Sequence, residues 1–416
     1  MLFSLILLAA AAPPRVVYLD AATARPALSA YPTQRPSDWP IWIRRHDREI
    51  RDRILRGDED SMVNYLLFGT SFTTAPRVTE RDLDTQSVGQ AMTQRINDLL
   101  TGIAAPGSNE RLQALHQLMA QHAQPRQYIL DNLARVMREQ RAFASAMQNA
   151  GFEERSRLYR ERGLSLDTSF PPNYAVEETL KALHESGQLP PIRHAGVIGP
   201  GLDFTDKHEG YDFYPQQTLQ PFALIDSLTR LGIARLPELS LAVFDLSPRL
   251  NAHLAAAVAR ARAGTGYVIQ LPRDQTKPWE PGAAAWWERF GGEIGRSVPP
   301  VAVPAAIQGV ETRAVEIRPA AVLALRPADL NIVCQHMAGD QFDLIVATNI
   351  FLYYDEFEQA LALRNAAQML RPGGLLISNN ALPGYPESGF RVLRRVDVTY
   401  SPRKDDGDRM LVLMRQ

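Results

Sequence analysis

Between residues 41 and 162 apolar side chains recur three and four positions apart: Val88, Met92, Ile96, Leu99 and Leu100, then Leu112, Leu115, Leu118 and Met119, then Ile129, Leu133, Val136 and Met137. This spacing puts them on one face of successive amphipathic helices. Proline and glycine at Ala105-Pro106-Gly107-Ser108 and Gln124-Pro125 break the pattern. The segment therefore predicts an all-helical domain over 41–165, of roughly five to seven helices. Its charged run at 153–162 reads as a solvated face. Upstream, Pro13, Pro14, Pro26, Pro32, Pro36 and Pro40 remove many backbone donors, so 13–40 is expected to be an irregular arm.

After residue 165 the texture changes. A proline-rich linker with a short helix over 176–185 fills 166–190, and short, almost wholly apolar runs follow at 195–198, 241–244, 342–347 and 375–377. They alternate with helical stretches at 223–231, 250–261 and 357–370. Strands without polar alternation, separated by helices, indicate a parallel sheet covered on both faces. A run at 322–325 is read as a further strand. The β-rich runs 390–400 and 409–415, joined by a turn-prone Arg403-Lys404-Asp405-Asp406-Gly407-Asp408, read as an antiparallel hairpin. The fold class is thus α/β: a Rossmann-like sheet with a terminal antiparallel hairpin over 191–416, plus the helical N-terminal domain.

Composition narrows the partners. The chain has 416 residues, 45% hydrophobic and 22% charged, with a formal net charge of −1, and no dense basic run interleaved with aromatics stands out, so no nucleic-acid partner is expected. The single cysteine, Cys334, leaves no disulfide framework and no cysteine-built metal site; an inert, partly buried thiol fits its apolar neighbours, and no metal is expected. Residues 1–12 contain an eleven-residue apolar run, followed by two prolines. Its length and small residues resemble a signal segment and favour export. It lacks the basic start of such segments and is too short to span a bilayer, and a buried first strand or helix is the alternative.

The candidate chemistry begins at Gly199-Pro200-Gly201. A strand entering this turn brings bare backbone close to a ligand, because glycine has no Cβ and tolerates positive φ. The third glycine of a dinucleotide fingerprint is missing, since Phe204 occupies its place and no helix starts there, which makes nicotinamide or flavin dinucleotide the minor reading. Asp245 ends the next apolar run, where an acid can accept both hydroxyls of a ribose; helix capping is its alternative role, although Ser247 is the better cap. Asp329 is a candidate for an adenine amino group, or a surface loop acid.

The stretch 342–380 combines Phe342-Asp343-Leu344-Ile345, then Asn349-Ile350-Phe351-Leu352-Tyr353-Tyr354-Asp355, then Leu370-Arg371-Pro372-Gly373-Gly374-Leu375-Leu376. With Gln220-Pro221-Phe222-Ala223-Leu224-Ile225, it resembles the class I S-adenosylmethionine-dependent methyltransferases, most of all the chemotaxis-receptor glutamate methyltransferase type. The resemblance covers roughly residues 190–416, and departs at Gln220, where that type has an acid. Two insertions, 202–219 and 270–304, also depart from it.

What the resemblance implies is S-adenosyl-L-methionine as cofactor, with Gly199, Pro200 and Gly201 near its methionine and ribose parts, Asp245 on the ribose and Asn349 and Ile350 near its sulfur. Tyr353 and Tyr354 would line the acceptor pocket, one of them by simple packing. The acceptor is expected to be a small molecule or a protein side chain. If it must lose a proton, His208, Glu209, Asp212 or Tyr214 are the candidate bases, each with a structural role as its alternative. Trp279, Trp286 and Trp287 either cap an acceptor or seal the insertion. A non-catalytic scaffold of the cell envelope and a nucleotide-dependent oxidoreductase are the rival functions: the signal-like start favours the envelope, cofactor supply the cytoplasm.

Overall fold

The computed structural model describes residues 15–78, 86–147, 164, 170–202, 211–305, 307–339, 341–384, 387–403 and 406–416, with side chains left aside at 86–88 and 140–147. The signal-like segment, the charged run 153–162, His208 and Glu209 lie outside the described residues.

The chain opens with β1 (Arg15–Tyr18), α1 (Ala21–Ala30) and the 30-residue α2 (Trp39–Phe68). α3 (Gln86–Ala104), α4 (Glu110–Met119) and α5 (Pro125–Met147) follow, breaking where the sequence places proline and glycine. α6 (Pro171–Glu185) then leads into β2 (His194–Ile198), α7 (Gln220–Arg230), β3 (Ser240–Asp245) and α8 (Pro248–Arg262). An insertion carries β4 (Tyr267–Asp274), α9 (Pro281–Arg289), β5 (Gly295–Val298) and β6 (Val310–Ile317). The chain closes with α10 (Pro319–Val322), β7 (Leu325–Asp329), β8 (Gln335–Ala338), β9 (Phe342–Ala347), α11 (Glu356–Met369), β10 (Leu370–Ser378), β11 (Phe390–Thr399) and β12 (Gly407–Arg415).

Seven strands form the main sheet in the order β11-β12-β10-β9-β2-β3-β7. β7, β3, β2, β9 and β10 are parallel, and β12 and β11 add antiparallel at one edge. This is the expected α/β sheet with its terminal hairpin. Alternate residues of the buried strands feed two cores, as the strand period of two requires. Leu241, Val243, Leu344 and Val346 pack with α6, α7, α8 and the insertion. Ala242, Phe244, Ile345 and Ala347 pack with α1, α2 and α11.

Three expectations are corrected. First, residues 15–40 are not an irregular arm. β1 pairs antiparallel with β8, and Asp20 caps α1 by accepting from the Thr23 amide at 2.9 Å. Pro26 sits inside α1, where it offers no donor to the carbonyl of Ala22, an exposed residue. Pro40 falls in the first turn of α2, where its missing donor costs nothing. Second, the apolar run 322–325 divides between the end of α10 and the start of β7, because Pro319 starts a helical turn first. Third, Pro372-Gly373-Gly374 does not precede β10 but bulges within it, with Gly373 at φ +77 and a register shift between Leu370 and Leu375.

α2 joins the two parts of the molecule. Trp39, Ile43 and Ile50 belong to the sheet core, whereas Met62, Tyr65 and Leu66 belong to the helical cluster with Ile96, Leu99, Leu112, Leu115 and Ile129. Its first half is also fixed by a buried charge cluster. Glu358, third residue of α11 and partner of Asp355 in a capping box, receives Arg53 Nη2 at 2.6 Å and lies 3.1 Å from His46 Nε2. Burial alone would raise this carboxyl, but His46 and Arg53 more than offset it and hold it down to about 2. A depressed carboxyl stabilises the fold fully above its unfolded value near 4.5, and that contribution is lost as pH falls toward 2. Roughly 3 kcal/mol is at stake. Urea unfolding at pH 6 and pH 3 is expected to show a smaller acid loss in Glu358→Gln than in the parent; an equal loss contradicts this account.

Candidate functional site

β2 is the strand at which the chain order reverses: its successor β3 lies on one side and β9 on the other. Ligands of open α/β sheets bind beyond the carboxyl ends of the strands at such a switch. Here the three adjacent strand ends carry Gly199-Pro200-Gly201, Asp245-Leu246-Ser247 and Thr348-Asn349-Ile350, and all nine residues line one cleft. Tyr353 and Tyr354 line it as well. The sequence candidates for the turn, the acid and the polar loop therefore meet.

Each strand end is fixed by its own local chemistry. Gly199 has φ +61 and Gly201 φ +75, the left-handed region that glycine enters without penalty. The Gly199 amide donates to the Phe244 carbonyl at 2.8 Å, which ties the turn to β3. A Cβ on Gly199 would lie 2.9 Å from Ile350 Cγ1 and overlap Cδ1, so the Ile350 side chain packs directly on bare backbone. Asn349 itself adopts φ +57, tolerated because a short amide can bond locally. Its N–H donates to Asn379 Oδ1 at 2.8 Å and its Oδ1 accepts from Asn379 Nδ2 at 2.8 Å. Asn379 in turn donates to Asp408, which also accepts from Tyr400.

Asp245 is buried, and its Oδ1 accepts from the Ser247 amide at 2.7 Å. Ser247 caps α8 with its own hydroxyl, so Asp245 is not the cap. Burial pushes the Asp245 carboxyl up to about 7, with repulsion from Asp329 adding to it and the Ser247 and Leu246 amides opposing. Tyr354 is buried among Phe357 and the second core, and burial raises its phenol; Tyr353 is partly exposed. Tyr354 is thus the packing member of the pair.

Asp329 does not join the site. It faces Asp245 in the β3–β7 register, but its side chain is 55% exposed and ion-paired with Arg51 at 2.8 Å. Its neighbour Leu330, with Ile332, lines the cleft instead. Asp212 and Tyr214 are held structurally. Asp212 is buried and accepts from the amides and hydroxyls of both Thr70 and Ser71, and the Tyr214 carbonyl accepts from Arg111 at 2.5 Å. The tryptophans of the insertion seal it. Trp286 is fully buried against Phe170, Tyr174 and Phe290, Trp287 stacks with Arg273 and Arg313, and Trp279 packs on Phe170. Cys334 is buried with its thiol raised by desolvation, as expected of an inert cysteine.

Other lining residues, Gln220 apart, were not singled out in the sequence. Gln220 Nε2 donates to Thr348 Oγ1 at 2.6 Å, both buried and both in the wall. Ile54 of α2, Leu164 and Pro172 complete it. Thr348 directly precedes Asn349 of the motif and was within reach of a sequence argument. Ile54 was not, because nothing local marks which turn of α2 crosses the cleft. Among the described residues no cluster of three His, Cys, Asp or Glu could hold a metal ion, and no helix is long and apolar enough to cross a membrane.

No protein-family model matches the chain, and no curated protein matches it. Solved structures overlap it loosely. The N-methyltransferase NodS from Bradyrhizobium japonicum WM9, in complex with S-adenosyl-L-homocysteine, is 15% identical over 59% of this chain and 88% of its own, with a TM-score of 0.30. The glycopeptide N-methyltransferase MtfA is 9% identical over 60% of this chain and 93% of its own, at 0.31. Magnesium protoporphyrin IX methyltransferase (ChlM) from Synechocystis PCC 6803, with bound SAM, is 10% identical over 59% and 79%, at 0.28. All three are methyltransferases.

Proposed function

We propose that the cleft binds S-adenosyl-L-methionine and that the protein transfers its methyl group to an acceptor. The observation that carries this reading is the convergence of Gly199, Gly201, Asp245 and Asn349 on one cleft at the switch point of the sheet. The residues fit the group chemically: the Gly199-Pro200-Gly201 turn borders the cleft with two residues that carry no side chain, the buried acid suits a ribose diol, and Leu246, Leu330 and Ile332 offer apolar surface to a base. When bound, the cofactor supplies an electrophilic sulfonium methyl. The chain's own work is then positioning and exclusion of water. Gly199 and Gly201 admit the ligand to backbone distance, Asp245 orients the ribose, and Asn349, locked by Asn379, fixes the loop beside the transfer end.

Among the described lining residues there is no histidine, lysine or glutamate. With Asp245 engaged by the ribose, Tyr353 and Tyr354 are the remaining ionisable groups among those lining residues, and a carboxylate or a neutral amine, which presents a lone pair without needing a protein base, suits them best. The carboxylate case agrees with the narrower likeness to the chemotaxis-receptor type. A thermal-shift titration tests the reading: S-adenosylhomocysteine raises the melting temperature and a nicotinamide dinucleotide does not. Stabilisation by the dinucleotide instead would favour the oxidoreductase, and by neither the scaffold.

The raised Asp245 carboxyl adds a pH dependence. Ribose hydroxyls donate to the ionised form, whose population climbs as pH rises through about 7. Affinity for S-adenosylhomocysteine is therefore expected to strengthen about tenfold from pH 6 to pH 8 and then level off, following the ionised fraction. Isothermal titration across that range checks it, with Asp245→Asn giving a flat profile.

A further inference from the structure

We infer that the middle of α2 is a strap across the cleft, hinged on Glu358 and opening at Asp329 and Arg249 to admit the ligand. The inference rests on reading the cleft as a cofactor site. Arg51, Ile54 and Asp58 are three and four residues apart and so share one face of α2. Ile54 lines the cleft. On either side of it the same face carries a charge tied to a strand end. Arg51 Nη1 meets Asp329 at the end of β7 at 2.8 Å, and Asp58 meets Arg249 Nη1 in the first turn of α8, just after Asp245, at 3.0 Å. The adjacent Arg53 reaches the opposite bank, donating to the Tyr353 carbonyl and to Glu358. About two turns of helix are thus fastened around the ends of β3, β7 and β9, which also hold Asp245, Leu330 and Asn349.

The fastenings are unequal. Glu358 is 2% exposed, and parting it from Arg53 would strand a buried charge. Asp329 is 55% exposed, and Asp58 and Arg249 are 22% and 25% exposed, so these ions regain water when they separate and are weakened by salt. Arg51 keeps Asp47, on α2 itself, after leaving Asp329, while its longer 3.3 Å bond to Gln335 of β8 parts with the opening. Opening therefore follows the Asp329 and Arg249 side while the Arg53 to Glu358 contact holds.

The test uses the full chain carrying Ser247→Cys, a near-isosteric change at a cleft residue 1% exposed, labelled with a small methanethiosulfonate reagent. Ile332→Cys, 2% exposed and also in the wall, serves if the first variant folds poorly. The chain's own Cys334, 0% exposed, reports global unfolding in the same sample. Adding Asp58→Asn or Asp329→Asn, or raising the salt, is expected to speed labelling of the cleft thiol about fivefold or more while Cys334 stays slow. Unchanged labelling, or equal acceleration at Cys334, overturns the strap. Protection of the cleft thiol by S-adenosylhomocysteine belongs to the cofactor reading. Its absence with the salt-dependent labelling intact would sink that reading and leave the strap standing.

Discussion

Gly199→Val is expected to abolish detectable binding of S-adenosylhomocysteine, a loss of at least about a hundredfold. The reason is local and double. The position holds φ +61, where an L side chain costs roughly 1–2 kcal/mol. A Cβ there also overlaps Ile350, which must swing away, and Ile350 belongs to the loop that carries Asn349. Strain and displacement are separable. Gly187, just after α6, has φ +66 with open space around it, so Gly187→Ala carries the backbone strain alone and is expected to lower stability slightly without touching affinity. The milder Gly199→Ala is expected to weaken binding, and Ile350→Ala added to it to restore part of the loss by removing the overlap. Isothermal titration of the four variants reads this pattern; equal affinities at Gly199→Val and the parent would contradict it.

Asp212→Ala is expected to destabilise the protein by about 2–4 kcal/mol, because hydrogen bonds to a buried charge are the strong ones and their donors lose an acceptor together. Four donors converge on this carboxylate: the amides of Thr70 and Ser71 at 2.8 and 2.9 Å and their hydroxyls at 2.7 and 2.6 Å. The surrounding segment holds the molecule together in three directions. Arg111 donates to the carbonyls of Asp212 and Tyr214, and Glu110 accepts from the Gln216 amide. Gln217 pairs both its amide groups with the backbone of Gln270, and Tyr267 accepts from the Thr218 amide. The next residues are Leu219 and Gln220, the latter in the cleft wall. Urea unfolding measures the loss, and Asp212→Asn, which keeps one acceptor oxygen, is expected to recover part of it. A change under about 0.5 kcal/mol, ordinary for a surface position, would show that the clamp carries little.

How much of this was readable in the chain depended on whether the cause was local. The parallel strands announced themselves by unbroken apolar runs, and Ser247-Pro248 marked a helix start and Gln124-Pro125 a helix break through their own backbone chemistry. Gly199 and Asp245 were recognisable because each closes such a strand, and Asn349 through the family-like stretch that contains it. Asp343 shows the limit of motif reading. It stands in the same stretch as Asn349, yet it lies at the opposite end of β9, accepting from the amides of Arg193 and His194 and from Arg371. Asp329 could be a third site acid or a surface acid on local grounds, and its ion pair with Arg51, 278 residues earlier in the chain, favours the second. The prolines of residues 26–40 suggested irregularity because the exposure of Ala22 and the pairing of β1 with β8 are decided by the fold, not by neighbours. The role of α2 was hidden for the same reason: its amphipathic pattern is identical whether it packs on the sheet, on the helical cluster or, as here, on both.

The central claim, that a sulfonium nucleoside lies between the Gly199 turn and Asp245, is tested most directly by a crystal structure with S-adenosylhomocysteine soaked in. The account predicts both ribose hydroxyls within hydrogen-bonding range of the Asp245 carboxylate, about 2.5–3.2 Å, with the chain of the ligand over Gly199 and Gly201. Ligand density in another part of the molecule, or in the cleft with Asp245 bonded only to Ser247, would contradict it.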